Sequence, residues 1–154
     1  MKRKALLLVL LVTLTFSLHS RPYIGINQGL VGTGIEVGYL TRSFEQNLSI
    51  QFPFVQGATT PMAATVNVLY RTQRLNPVVI SLGPTARIAW QKEQGFTLGG
   101  GFMLSVGWEV LAKREILFVE GAYIPFKTSV WGPLDVPGER LVDQYIRIGW
   151  RHLF

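Results

Sequence analysis

The chain has 154 residues, 15 of them basic and 9 acidic, with 16 glycines and no cysteine. That length suits one domain, and the missing cysteine excludes a disulfide framework, a thiolate metal site and a cysteine nucleophile. Charged residues make up 16% and aromatics 12% of the chain, and mean hydropathy is +0.27, yet past the N-terminus no apolar run reaches the roughly 18 residues of a membrane-spanning helix.

Two classes combine high hydropathy with no spanning helix. One is a very apolar soluble β-protein, such as an amphipathic sandwich. The other is a membrane β-barrel, which hides its hydrophobicity in alternation.

In chain order, Lys2-Arg3-Lys4 comes first, followed by a continuous apolar run from Ala5 to Val12 and a polar stretch from Thr13 to Ser20. This is the pattern of a secretory signal peptide over residues 1–20, because the apolar run is too short to span. Thr15 and Ser17, or Ser20, offer small residues for cleavage. No cysteine follows for lipid attachment. Removing residues 1–20 takes away three basic residues, which leaves 12 basic against 9 acidic and a net charge of +3. Such a chain has no clustered basic face for nucleic acid.

Residues 21–154 read as one domain of eight strand-like segments. They are Pro22–Gly29, Gly34–Thr41, Gln46–Gln56, Ala63–Gln73, Val78–Trp90, Phe96–Leu111, Ile116–Phe126 and Asp143–Phe154. Short turns follow segments two, four and six, and the longest connection, Lys127–Val142, precedes segment eight. If Phe154 lies at the periplasmic end, the short turns fall there and the longer connections face outward. That asymmetry is the one expected of outer-membrane barrels.

Each segment alternates, so each has two unlike faces. Segment two sets Ile35, Val37 and Tyr39 against Glu36 and Gly38. Segment five sets Leu82, Ala86, Ile88 and Trp90 against Ser81, Gly83, Thr85 and Arg87. Across the chain the polar face carries Gly, Ser, Thr, Asn and Gln with seven charges: Glu36, Arg71, Arg87, Glu109, Glu120, Arg147 and Arg151. No strand interior holds a lysine. A soluble sandwich would instead show lysine and glutamate on its polar face. Small residues suit a narrow barrel interior. Pro84, in mid-segment, predicts a β-bulge, and Gly99-Gly100-Gly101 predicts a bend. Aromatics predict two girdles, with Tyr39, Tyr70, Trp108, Trp150 and Phe154 at one end and Phe52, Phe54, Trp90, Phe96 and Tyr123 at the other.

The last segment alternates most strictly. Ile146, Ile148, Trp150, His152 and Phe154 share one face, and Arg147, Gly149 and Arg151 the other. The stretch resembles the C-terminal assembly signal of bacterial outer-membrane barrels, polar–x–Gly–x–x–apolar–x–aromatic. Arg147, Gly149, His152 and Phe154 stand at its fixed positions, with His152 departing from the usual apolar residue. With the signal peptide and the strand count, the chain resembles the small eight-stranded outer-membrane barrels, the group of outer-membrane protein X and the membrane domain of outer-membrane protein A. The resemblance implies an all-β, antiparallel up-and-down transmembrane barrel in the bacterial outer membrane. It also implies contact with outer-membrane lipids, and with the barrel-assembly machinery through the last strand. Fold does not give function.

The seven charges suit either a selective pore or a network that plugs the lumen. Eight strands enclose a space that side chains just fill, and desolvated charges there must pair. The expectation is a structural or surface-interaction protein with a plugged lumen and no cofactor. A narrow pore or small-solute channel is the alternative. A lipid-modifying barrel enzyme is the third class. Its Ser nucleophile would need a neighbouring base, and His152, the one histidine after residue 20, lies at the periplasmic end in the lipid-facing register. Glu109 and Glu120, on adjacent segments, are the carboxylates that could act together. No metal-ligand spacing occurs. In the long connection Trp131 is the candidate contact for an external partner.

Overall fold

The computed structural model describes residues 20–29, 32–53, 62–91, 95–111, 114–131 and 146–154. Residues 1–20, the expected signal peptide, lie outside them except for Ser20. Eight strands form: β1 Arg21–Gly29, β2 Gly32–Leu40, β3 Phe44–Pro53, β4 Met62–Leu75, β5 Val78–Gln91, β6 Gly95–Val110, β7 Glu115–Trp131 and β8 Ile146–Leu153. Each pairs antiparallel with its sequence neighbour, and β8 closes on β1 to complete a barrel. Closure leaves no edge strand. The expected all-β, eight-stranded antiparallel barrel is therefore the architecture of the chain.

Strand ends differ from expectation most at β3 and β7. β3 begins at Phe44, so Phe44 and Glu45 belong to the ladder, with Glu45 opposite Leu40. The preceding turn closes through Thr41 N–H to the Phe44 carbonyl, 2.8 Å. β7 continues to Trp131 by pairing with β6, where Phe96 faces Trp131. The assignment of Trp131 to a surface connection is thus corrected for its backbone, and its side chain lies outside the described residues. The rest of the long connection, residues 132–142, lies outside them too, as do residues 143–145 of the expected eighth segment and Phe54 of the expected girdle.

The predicted bulge at Pro84 does not form. β5 keeps one register with β6 throughout, Pro84 facing Phe102. On the other side the ladder resumes unshifted, from Asn67–Thr85 to Tyr70–Leu82. A Cβ on Gly83 would sit 2.1 Å from the Val68 carbonyl oxygen, so the backbones approach closely there. This lets the sheet pass the missing proline N–H without an inserted residue. Register shifts fall instead between Thr72 and Leu75 on β4, between Phe96 and Thr97 on β6, and at the glycine run of β6. Gly100 faces Phe126 and Phe102 faces Tyr123, so Gly101 alone opposes Ile124 and Pro125. A proline at a bulge forfeits no ladder bond. A Cβ on Gly101 would lie 2.0 Å from the Tyr123 carbonyl oxygen, which only glycine avoids.

Burial alternates as the sequence does. β2 reads buried and exposed in turn along its whole length. Facing outward are Ile24, Ile35, Leu48, Val66, Leu82, Ile88, Leu104, Val119 and Ile148, with aromatic residues toward the strand ends. Facing inward are polar and charged residues, with an apolar cluster of Tyr23, Leu40, Ile116, Phe118 and Leu153 at the end where the chain enters and leaves. The barrel is thus inverted relative to a water-soluble domain, whose apolar face would be its core.

Candidate functional site

The lumen gathers the chemistry. Alternation sends every second residue of each strand inward, and all seven predicted charges arrive there. Glu36, Arg71, Arg87, Glu120, Arg147 and Arg151 are buried and Glu109 is half-buried.

Arg151 is the centre, at 1% exposure. Its Nε donates to Glu36 Oε1, its Nη2 to Glu120 Oε2 at 3.1 Å, and its Nη1 lies 3.0 Å from Glu45 Oε1. The guanidinium stacks 3.8 Å from the Phe118 ring centroid and 5.2 Å from that of Tyr23. Planar stacking and forked donors are what arginine offers over lysine. Glycines make the room. A Cβ on Gly149 would meet Phe118 Cζ at 2.4 Å, and one on Gly38 would meet Tyr23 Cζ at 2.6 Å.

Around this centre the polar residues form a chain. Arg147 Nη1 donates to Ser49 Oγ at 2.9 Å, while its Nη2 sits 2.5 Å from Glu120 Oε1, an ion contact out of line for a hydrogen bond. Asn27 Nδ2 donates to Ser49 Oγ at 3.1 Å. Asn67 donates to Asn47 Oδ1 at 2.6 Å, and Asn47 donates to Glu45 Oε1 at 3.0 Å. The Tyr23 hydroxyl donates to the same Glu45 oxygen at 3.2 Å. Three carboxylates thus face two guanidiniums, neutral donors from Tyr23 and Asn47 reach Glu45, and Asn27 reaches Glu36, while Glu120 Oε1 has only its ion contact with Arg147; desolvated charges are held by such pairing. Arg71 and Glu109 form a separate pair at 2.5 Å.

Glu45 and Tyr23 were missed in the sequence. The turn signal after segment two places Glu45 outside the strands, yet it shares the parity of Asn47 and Ser49, and that parity points it inward. The two candidate paired carboxylates are not brought together. Glu120 faces Ser105 across the β6–β7 ladder and Glu109 faces Ile116; Glu109 is held by Arg71, and Glu120 by Arg147 and Arg151. Arg87 is buried on the inward face. Among the described residues no group of three or more His, Cys, Asp or Glu could hold a metal ion.

The C-terminal motif divides between the faces. Arg147 is buried inward, and Gly149 sits beneath Phe118. His152 faces outward in the register expected, where its Nδ1 lies 2.7 Å from Glu115 Oε1, directly across the strand pair. That pairing accommodates a polar residue at an apolar position of the motif. Phe154 is exposed, packs edge-on against His152 at 5.1 Å, and donates its N–H to the Pro22 carbonyl at 3.0 Å.

Neither a known family model nor a curated protein sequence matches this chain.

Proposed function

We propose that the chain is an integral protein of the bacterial outer membrane, exported by residues 1–20, whose lumen is plugged and whose role is structural or surface-interacting. One observation carries this reading: the inverted burial. Every strand turns large apolar side chains outward at 37% exposure or more, while Glu36, Glu45, Glu120, Arg147 and Arg151 are buried inside. In water such a belt would be an exposed patch far larger than monomers tolerate. In a bilayer it is the lipid-facing band of a barrel, and β1 to β7 have 9 to 17 residues, enough for the roughly 9–11 a tilted span requires. Aromatic residues such as Tyr39, Tyr70, Trp108 and Trp150 toward one end and Phe52, Trp90 and Phe96 toward the other suit the two interfaces. The last strand, with Arg147, Gly149, His152 and Phe154, is read as the contact for the assembly machinery.

The ring of ion pairs favours a plug over the narrow pore, because the charges that would line a channel are consumed by one another. Gel migration of membrane-extracted protein, with and without boiling, tests the reading. A folded transmembrane barrel shifts between the two samples and needs detergent to stay dispersed. No shift, with solubility in plain buffer, would overturn it.

A further inference from the structure

Three uncharged polar atoms of the lumen stand apart from the hydrogen-bonded chain around Arg151. Asn27 Oδ1, Asn67 Oδ1 and Thr85 Oγ1 have no hydrogen-bond partner among the described residues. Each of the three residues is at most 4% exposed, so open solvent does not satisfy them. A polar atom at that depth costs stability unless something bonds to it.

Two of the three face each other. Asn67 and Thr85 are direct partners across β4–β5. Directly opposed residues hold their Cβ atoms about 4.5–5.5 Å apart, yet no hydrogen bond joins these two side chains. Asn67 commits its Nδ2 to Asn47 Oδ1 on β3, which leaves its Oδ1 directed away from that strand. Thr85 has room beside it. Its inward neighbours are Gly83, two residues back, and Gly101, across β5–β6, and neither has a side chain to fill the face. A gap with polar atoms on two sides and space on a third is what a buried water occupies.

We infer that an ordered water molecule is built into the lumen wall between β4 and β5, donating to Asn67 Oδ1 and bonded to Thr85 Oγ1. Its place is one layer outward of the Arg151 centre. Glu45, which Arg151 holds, faces Leu69 across β3–β4, and Asn47 faces Asn67 in the next inward pair. The third atom lies on the same side. Arg151 pairs with Gly25, and Asn27 stands two residues further toward the outward end of β1. A Cβ on the facing Gly34 would lie 2.5 Å from Asn27 Oδ1, so this oxygen too leans over a strand without a side chain. On the other side of Arg151 lies the apolar cluster of Tyr23, Leu40, Ile116, Phe118 and Leu153. The lumen is therefore wet outward of the ion pairs and dry beneath them. This goes beyond the plug, and it needs the barrel alone, whatever surrounds the belt.

A crystal structure of the refolded barrel in detergent, at a resolution that shows water, tests the site directly. The expected result is one density peak about 2.8 Å from both Asn67 Oδ1 and Thr85 Oγ1. A direct Thr85-to-Asn67 hydrogen bond, or a gap without density, overturns the inference. Urea unfolding in micelles tests it in solution. T85V keeps the side-chain shape and removes the hydroxyl. With water in place, T85V is expected to lower the folding equilibrium constant about tenfold, because Asn67 and the water lose their partner. T85S, which keeps the hydroxyl, is expected to stay close to the native chain. In a dry gap T85V would instead remove an orphaned hydroxyl and be at least as stable as the native chain, and that result overturns the inference. An equal loss in T85S and T85V also overturns it, because the methyl group rather than the hydroxyl would then carry the effect.

Discussion

Arg151 touches Tyr23, Glu36, Glu45, Phe118 and Glu120, which come from β1, β2, β3 and β7. A side chain in β8 thereby ties the last strand to the first three and to its neighbour. Removing it strands the buried carboxylates of Glu36 and Glu45 and leaves Glu120 to Arg147 alone, and an uncompensated buried charge costs more than the pair contributes. Arg151→Met is therefore expected to destabilise the barrel by about 3–5 kcal/mol, read as a lower urea midpoint in detergent micelles. Arg151→Lys keeps the charge, but one ammonium cannot serve three carboxylates and stack between two rings, so it falls between Met and the native residue. A midpoint for Arg151→Met equal to that of an outward Leu104→Met control would remove Arg151 from the centre of the network. Glu45 shows how such residues escape notice. The short connection after segment two reads as a turn that takes in Glu45, but the ladder already includes Phe44, so parity rather than local turn chemistry decides its face.

Glycines in the strands act through what they leave empty. Gly149 of β8 lies beneath the Phe118 ring, whereas a Cβ on Gly100 of β6 would meet nothing within 4 Å. Gly149→Ala is expected to cost about 1–3 kcal/mol by overpacking. Gly100→Ala is expected to be close to neutral, and Phe118→Leu added to Gly149→Ala should restore part of the loss. Equal unfolding midpoints for the two alanine variants would disprove this account of the lumen. The register of β5 makes a second check. Arg87 is 5% exposed and Ile88 48%. With single cysteines at each position in a bilayer, a lipid-soluble maleimide should label position 88 and spare 87, and the reverse order would mean the strand faces had been exchanged. Ile88→Arg near the bilayer midplane is expected to cost about 2–4 kcal/mol. The alternation behind these predictions was legible in β2, β4, β5 and β8. The misplaced bulge at Pro84 was not, because one chain alone does not show which neighbour a missing N–H faces. β6 and β4 decide that, and they pass Pro84 in constant register.

Among the described residues, the charges around Arg151 in the lumen are paired with one another, over an apolar floor of Leu40, Ile116 and Leu153. An ion crossing the lumen would have to part Arg151 from its carboxylates and pass the apolar floor. In planar bilayers the native chain is expected to show no discrete conductance steps at a potential where an open porin conducts. Regular, reproducible steps in the native chain would replace the plug with a pore. Ions entering only after Arg151→Met and Phe118→Ala are combined would locate the barrier.

Strand count, alternation, antiparallel order and the identity of most lumen charges follow from the order of residues alone. Side-chain direction in a strand is a local property with period two, so a single chain carries it in full. Only the tertiary structure decided which charges meet. Arg151 finds Glu36 and Glu45 from residues more than 100 positions earlier in the chain. The His152–Glu115 pair, the Gly101 bulge and the glycine hollows beneath Phe118 and Tyr23 likewise exist only once strands are in register. Closure sets them: the barrel fixes each strand against two neighbours at once, and residues that share a face then converge or part according to that register.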